Sequence, residues 1–86
     1  MMNLLLTPGA AAARETYRVD DPELSEAFEE VLSQISNGDA RMRAFRSVDL
    51  SAFISRVVLR GRANDYVVVW RRQTDNTPVI VYLGVL

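Results

Sequence analysis

Between residues 22 and 36, large apolar side chains recur at helical spacing. Leu24, Ala27, Phe28, Val31, Leu32 and Ile35 fall on one stripe, while Glu23, Glu26, Glu29 and Glu30 take the opposite face. Asp20 and Asp21 offer a cap oxygen and negative charge at the positive end of the helix dipole, and Pro22 suits a first helical position because its missing N–H has no partner there anyway. Gly38, with Asn37 as the alternative, supplies a left-handed stop. Upstream, the apolar run Asn3 to Leu6 is closed by Thr7-Pro8-Gly9 and reads as a short strand. Ala10 to Tyr17, opening on four alanines, reads as a short helix capped by Thr7 or Gly9, with an Ala-rich connector as the alternative.

The last third reads as strand. Phe53 to Arg60, Asp65 to Arg72 and Pro78 to Val85 are rich in Val, Ile, Tyr and Trp, and are divided by Gly61-Arg62-Ala63-Asn64 and Thr74-Asp75-Asn76-Thr77. Connections this short make an antiparallel meander, with Pro78 at a strand start or on an exposed edge because it cannot donate to a ladder. Arg41 to Arg46 alternates basic and apolar residues, which suits an extended segment or a frayed helical turn, so it stays unassigned; Phe45, Val48, Leu50 and Phe53 are expected to cover the edge of the core. The fold class is therefore α+β: a short N-terminal strand, two helices, then a three-stranded meander with the helices on one face.

The strands add a constraint. Val57-Val58-Leu59, Val67-Val68-Val69-Trp70 and Val79-Ile80-Val81-Tyr82-Leu83 are apolar at successive positions and so put bulky groups on both faces of the sheet. Two helices cover only one. The other face must meet the first strand folding back, a twin subunit or a partner segment, and an apolar last strand at the sheet edge invites strand addition. Val79, Val81, Tyr82 and Leu83 are the candidate partner-binding residues.

Composition narrows the chemistry. Eighty-six residues allow one domain, 1–86, burying roughly 60–65% of the surface of its unfolded chain. At 49% hydrophobic and 24% charged residues, the chain has the composition of a folding sequence. It has no Cys, no His and no Lys, which removes thiolate and imidazole metal ligands, the usual general base, the Schiff-base nucleophile and the phosphate-loop lysine. No Gly-rich phosphate loop, metal cluster, paired nucleophile or internal repeat is present, and neither a cofactor nor a metal is expected. The N-terminal apolar run is too short and lacks the basic flank of a secretory signal, so a soluble cytoplasmic protein without membrane contact is expected.

Charge is sorted along the chain. All ten basic residues are Arg; residues 1–40 hold two of them against eight carboxylates (net −6), whereas residues 41–72 hold eight against Asp49 and Asp65 (net +6). The overall −1 conceals a dipolar molecule suited to meeting an anion. Arg56 and Arg60, four apart on one strand, would share a face; Arg62 sits in the next turn, and Arg71 and Arg72 end the following strand, which divides the patch between the two ends of the sheet. With Tyr66, Trp70 and Phe53 nearby in sequence, these guanidinium groups form a candidate RNA-contacting surface. The bland reading has some arginines paired with the acidic helix and the aromatics in the core.

The order strand, short helix, long helix, meander resembles the RelE/ParE-like toxin family of bacterial toxin–antitoxin systems. Leu4-Leu5-Leu6-Thr7-Pro8-Gly9-Ala10-Ala11 looks like the family's first strand and small-residue helix start. Phe53 to Arg60, Asp65-Tyr66-Val67-Val68-Val69-Trp70 and Val79 to Val85 look like its basic, Tyr-bearing and final strands, so the resemblance spans nearly the whole chain. The family commonly has Arg where Val67 stands, and its ribonuclease members carry further basic and Tyr residues just beyond the last strand, where this chain stops at Leu86. The resemblance implies inhibition of translation or of a DNA topoisomerase, docking through Arg56, Arg60, Arg62, Arg71, Arg72 and Tyr66. It also implies neutralisation by an antitoxin on the sheet face or edge, contact with RNA or the ribosome, and a homodimer. Any enzymatic activity would be that of an mRNA endonuclease, with Tyr66 or Tyr82 as a conceivable base. The alternative is a non-catalytic interaction module, such as a phage-encoded inhibitor or an adaptor that dimerises through its sheet.

Overall fold

The computed structural model describes residues 4–37, 43–46, 51–57, 59–75 and 77–86. Its elements run β1 (Leu5–Leu6), α1 (Pro8–Asp20), α2 (Pro22–Asn37), β2 (Arg43–Arg46), β3 (Ser51–Val57), β4 (Tyr66–Arg72) and β5 (Pro78–Val85). The class is α+β, as the sequence pattern predicts. Thr7 starts α1, its hydroxyl accepting from the Ala10 N–H at 3.3 Å, and the helix runs on past Tyr17 because nothing in Arg18-Val19-Asp20 breaks it. One residue, Asp21, separates the two helices, and Pro22 takes the first position of α2. Gly38, Val48 and Leu50, expected as a helix stop and core cover, lie outside the described residues.

The five strands form one sheet in the order β1-β5-β4-β3-β2. Three features differ from the sequence reading. First, β1 does not fold over the second face of the sheet; it joins parallel to β5, Leu5 beside Val79 and Leu6 beside Ile80, so β5 is an interior strand over that stretch. Second, the unassigned Arg43–Arg46 is a strand, antiparallel to β3 from Arg43↔Ile54 to Arg46↔Ser51. The alternation there was an extended segment, and its partner strand makes the choice. Third, β3 ends at Val57, so Arg60 is not on a strand with Arg56; it begins the turn to β4, where Gly61 takes φ +77°. Pro78 opens β5 opposite Arg72, a position where its missing N–H costs little.

Both helices lie against one face of the sheet. Leu24, Phe28, Val31, Leu32 and Ile35 of α2 and Ala10 of α1 meet Val57, Tyr66, Val68, Trp70, Ile80 and Leu83 in one apolar cluster. The register makes this set possible. Val69 faces Tyr82 and Trp70 faces Ile80, so Val81 is the extra residue of a β-bulge and Ile80 and Leu83, three apart, both point toward the helices. Trp70 is the largest wholly buried side chain, stacked at 4.8 Å on Phe53, and its indole N–H donates to the Ser55 hydroxyl at 3.2 Å. Ser55→Ala would leave that N–H buried without a partner and is expected to cost about 1–3 kcal/mol. Urea unfolding followed by Trp70 fluorescence checks it, and an unchanged midpoint would count against the role of this bond.

Candidate target-binding surface

Among the described residues, Asp21 and Arg62 form the most connected polar joint. The Asp21 N–H donates to the Tyr17 carbonyl at 2.8 Å, ending α1, while its own carbonyl accepts from the Ser25 N–H at 2.9 Å and its carboxylate from the Leu24 N–H at 3.4 Å, starting α2. Arg62, in the β3–β4 turn, closes on this carboxylate with both ends of its fork, Nη1 to Oδ2 at 2.7 Å and Nη2 to Oδ1 at 3.0 Å, and reaches Glu23 at 3.2 Å. The Arg62 fork holds the Asp21 carboxyl below its ordinary range, with the Leu24 N–H assisting. Asp21 in turn, followed by the Tyr66 hydroxyl and Glu23, makes the Arg62 guanidinium harder to deprotonate. Arg62, a predicted target-binding residue, is thus spent on holding the turn to the helix junction. Tyr66, from the same set, is buried at 7% exposure with its ring edge-on to Phe28 at 6.2 Å.

The remaining arginines separate by strand alternation. Phe53, Ser55 and Val57 turn toward the helices, as do Tyr66, Val68 and Trp70; Ala52, Ile54 and Arg56 of β3 and Val67, Val69 and Arg71 of β4 therefore occupy the face without helices. Arg56 pairs across to Val67 and Arg71 to Val79, placing the two exposed guanidinium groups four residues apart along β4, roughly 13 Å. Arg60 is exposed in the turn, and Arg72 sits on the helix side with its guanidinium 5.6 Å from the Trp70 ring centre. The expected patch is divided: of its five arginines, Arg56 and Arg71 share the helix-free face. Between them the surface is apolar: Ile54 and Val69 half-buried, Leu5 of β1 exposed at 48% beside Val79, and Tyr82 exposed at 45% beside Val69.

Of the predicted partner-binding residues, Tyr82 and the half-buried Val81 are accessible. Val79 is covered to 8% exposure, and Leu83, at 2%, belongs to the helix-side core because of the bulge. Sequence reasoning missed Leu5, Ile54 and Val69 as parts of this face and Asp21 as the partner of Arg62. It also missed Gly84. A Cβ there would stand 2.9 Å from the Tyr82 hydroxyl and 3.2 Å from that of Tyr17, and its φ of +153° suits glycine. A lone Gly inside an apolar strand is the available signal of such close approach. Tyr82 lies back along its strand, its hydroxyl donating to the Val85 carbonyl at 2.6 Å. Burial raises the pKa of the Tyr17 hydroxyl, with Tyr82 and Tyr66 contributing, so this phenol is a donor and not a base at neutral pH. Two separated guanidinium groups on an apolar sheet, with one accessible phenol, can bind an anionic surface that also offers apolar contact.

The fold is similar to that of one chain in the structure of the YoeB dimer from Staphylococcus aureus, with a TM-score of 0.73 and 17% identity over 96% of this chain and 94% of that one. The likeness is one of fold. No family model matches the chain, and no curated protein matches its sequence.

The joint makes a pH-dependent expectation. Because the Asp21 carboxyl titrates lower in the folded chain than in the unfolded one, its contribution is complete above the unfolded value, near 3.9, and fades as pH falls through the folded value. Asp21→Asn keeps a cap oxygen and loses the charge. It is expected to be less stable than the parent at neutral pH, with the gap closing below about pH 4. Urea midpoints measured from neutral to acid check this, and a gap independent of pH would refute it.

Proposed function

We propose that this chain is a toxin-type protein of a toxin–antitoxin module, RelE/ParE-like, that acts by docking the helix-free face of its sheet on a target in translation or on a DNA topoisomerase. The observation that carries the reading is the pair Arg56 and Arg71 standing on an apolar sheet face that neither helix covers. The shared fold with YoeB, a toxin of toxin–antitoxin systems, supports it, as does the order of elements in the sequence. Guanidinium groups take phosphate oxygens in paired hydrogen bonds, and Ile54, Val69, Leu5 and Tyr82 add apolar contact that a purely electrostatic patch lacks. An acidic, amphipathic antitoxin segment would neutralise the same arginines and cover the same apolar row, so that target and antitoxin compete for one face. Cleavage of mRNA would call on Tyr82 as the phenol at the face with Arg56 as a charge stabiliser, and Tyr66, buried in the core, would take no part.

The extent of the apolar surface favours a second reading, a non-catalytic module that binds a protein partner or a twin subunit through the sheet. The two differ in salt dependence. Docking on nucleic acid weakens steeply as salt rises, and apolar association hardly changes.

Induced expression in a bacterial host, followed by growth and by the rate of protein synthesis, tests the first reading. Prompt arrest is expected. Arg56→Glu with Arg71→Glu, at exposed positions, is expected to relieve arrest at least about tenfold in dose while the fold, read by circular dichroism, is kept. Full arrest by that folded double variant, or normal growth with abundant soluble parent protein, would overturn it. Arg62→Glu is unsuitable for this test, since it would place a third carboxylate against Asp21 and Glu23.

A further inference from the structure

An open sheet edge is a template for another chain, and folded proteins guard it with charge, proline, bulges or very short strands. Two of the open stretches here carry such guards. β1 is two residues long and is stopped by Thr7-Pro8, and β2 has an arginine at each end of its four residues. The third stretch has neither. β1 pairs with Val79 and Ile80, and past the bond from the Thr7 N–H to the Ile80 carbonyl no described strand flanks β5 on that side. From Pro78 to Val85 this strand holds no charged residue, and Tyr82 and Val85 stand exposed along its open part. Because the Leu86 N–H donates to the Asp65 carbonyl, antiparallel alternation turns the carbonyl of Val85 away from β4 and toward the open side.

That carbonyl is already taken. The Tyr82 hydroxyl donates to it at 2.6 Å from three residues back along the same strand. To do so the phenol passes over Gly84, where a Cβ would stand 2.9 Å from its oxygen. The Tyr17 hydroxyl lies 3.2 Å from the same point, so α1 closes the hollow from the other side, with the Tyr17 ring held on Phe28 at 5.1 Å. We propose that Tyr82 is a latch on the free edge of β5, occupying its outward carbonyl so that the same edge of a second copy does not pair with it. Two copies meeting there through a twofold axis would set identical, apolar and uncharged strands side by side, with no like charges to keep them apart. Each copy must first give up its phenol bond. The latch thus supplies, with one hydroxyl and one glycine, the protection that charge gives β2. It concerns the edge of the sheet and is independent of the docking function proposed for the face.

Sedimentation velocity over a concentration series compares the parent chain with Tyr82→Phe, which keeps the ring and loses the hydroxyl. The variant is expected to associate roughly tenfold more tightly than the parent, since a pair of variant copies forgoes no phenol bond on either side. Val85 lies opposite Tyr66, on the helix side of the edge, so Val85→Lys adds a charge to the edge and leaves the helix-free face unaltered. Combined with Tyr82→Phe, it is expected to return association to the parent level. Hydrogen exchange gives a second reading: amide protection in residues 83–85 is expected to rise with concentration in Tyr82→Phe more than in the parent. Circular dichroism confirms that the variants fold. Association of Tyr82→Phe no stronger than that of the parent, association that survives Val85→Lys, or an associated form without added protection in residues 83–85 would each overturn the proposal. Growth arrest is measured separately, so either proposal can fail while the other stands.

Discussion

The bidentate contact between Arg62 and Asp21 is the constraint around which the rest is arranged. Two helices separated by a single residue need a fixed angle between them, and Asp21 supplies the stop of one and the start of the other with its own backbone and carboxylate. Arg62 then ties this corner to the β3–β4 turn, so that the helix layer and the sheet are fastened at one end by charge and over their area by the Phe28, Trp70 and Leu83 core. An ion pair of this kind, with roughly a quarter to a third of each side chain still exposed, is screened by salt yet geometrically demanding. Its value lies in orientation more than in energy.

That fastening explains how the arginines divide. Arg62 is occupied by two carboxylates at the helix junction, and Arg72 lies over the face of the Trp70 ring on the helix side. Among the described side chains, the helix-free face keeps a widely spaced pair, Arg56 and Arg71, on an apolar sheet. The helix-free face is thus apolar ground carrying two separated charges, not a continuous basic groove.

Much of the architecture was legible in the chain. The helical stripe from Leu24 to Ile35, the Asp-Pro start and the Val-rich meander each follow from local chemistry that tertiary contacts reinforce. The remainder depended on contacts distant in sequence. Nothing local tells whether Leu5-Leu6 pairs beside the last strand or folds across the sheet, and Arg43 to Arg46 becomes a strand only because Ser51 to Ile54 lies beside it. The site suffered most from this limit. Arg62 and Asp21 are 41 residues apart, and a reading by proximity in sequence placed Arg62 with Arg60 and Tyr66 with the binding surface, whereas the fold sends one to the helix junction and the other to the core.

The bulge at Val81 has a further consequence for β5. It divides one strand into two half-strands of opposite phase, so that Val79 and Tyr82 belong to one side while Ile80 and Leu83 belong to the other. An unbroken apolar run thereby serves two masters without conflict. Each half can change its outward residues without altering what the other half buries, which gives the helix-free face freedom to diversify while the core beneath it stays the same.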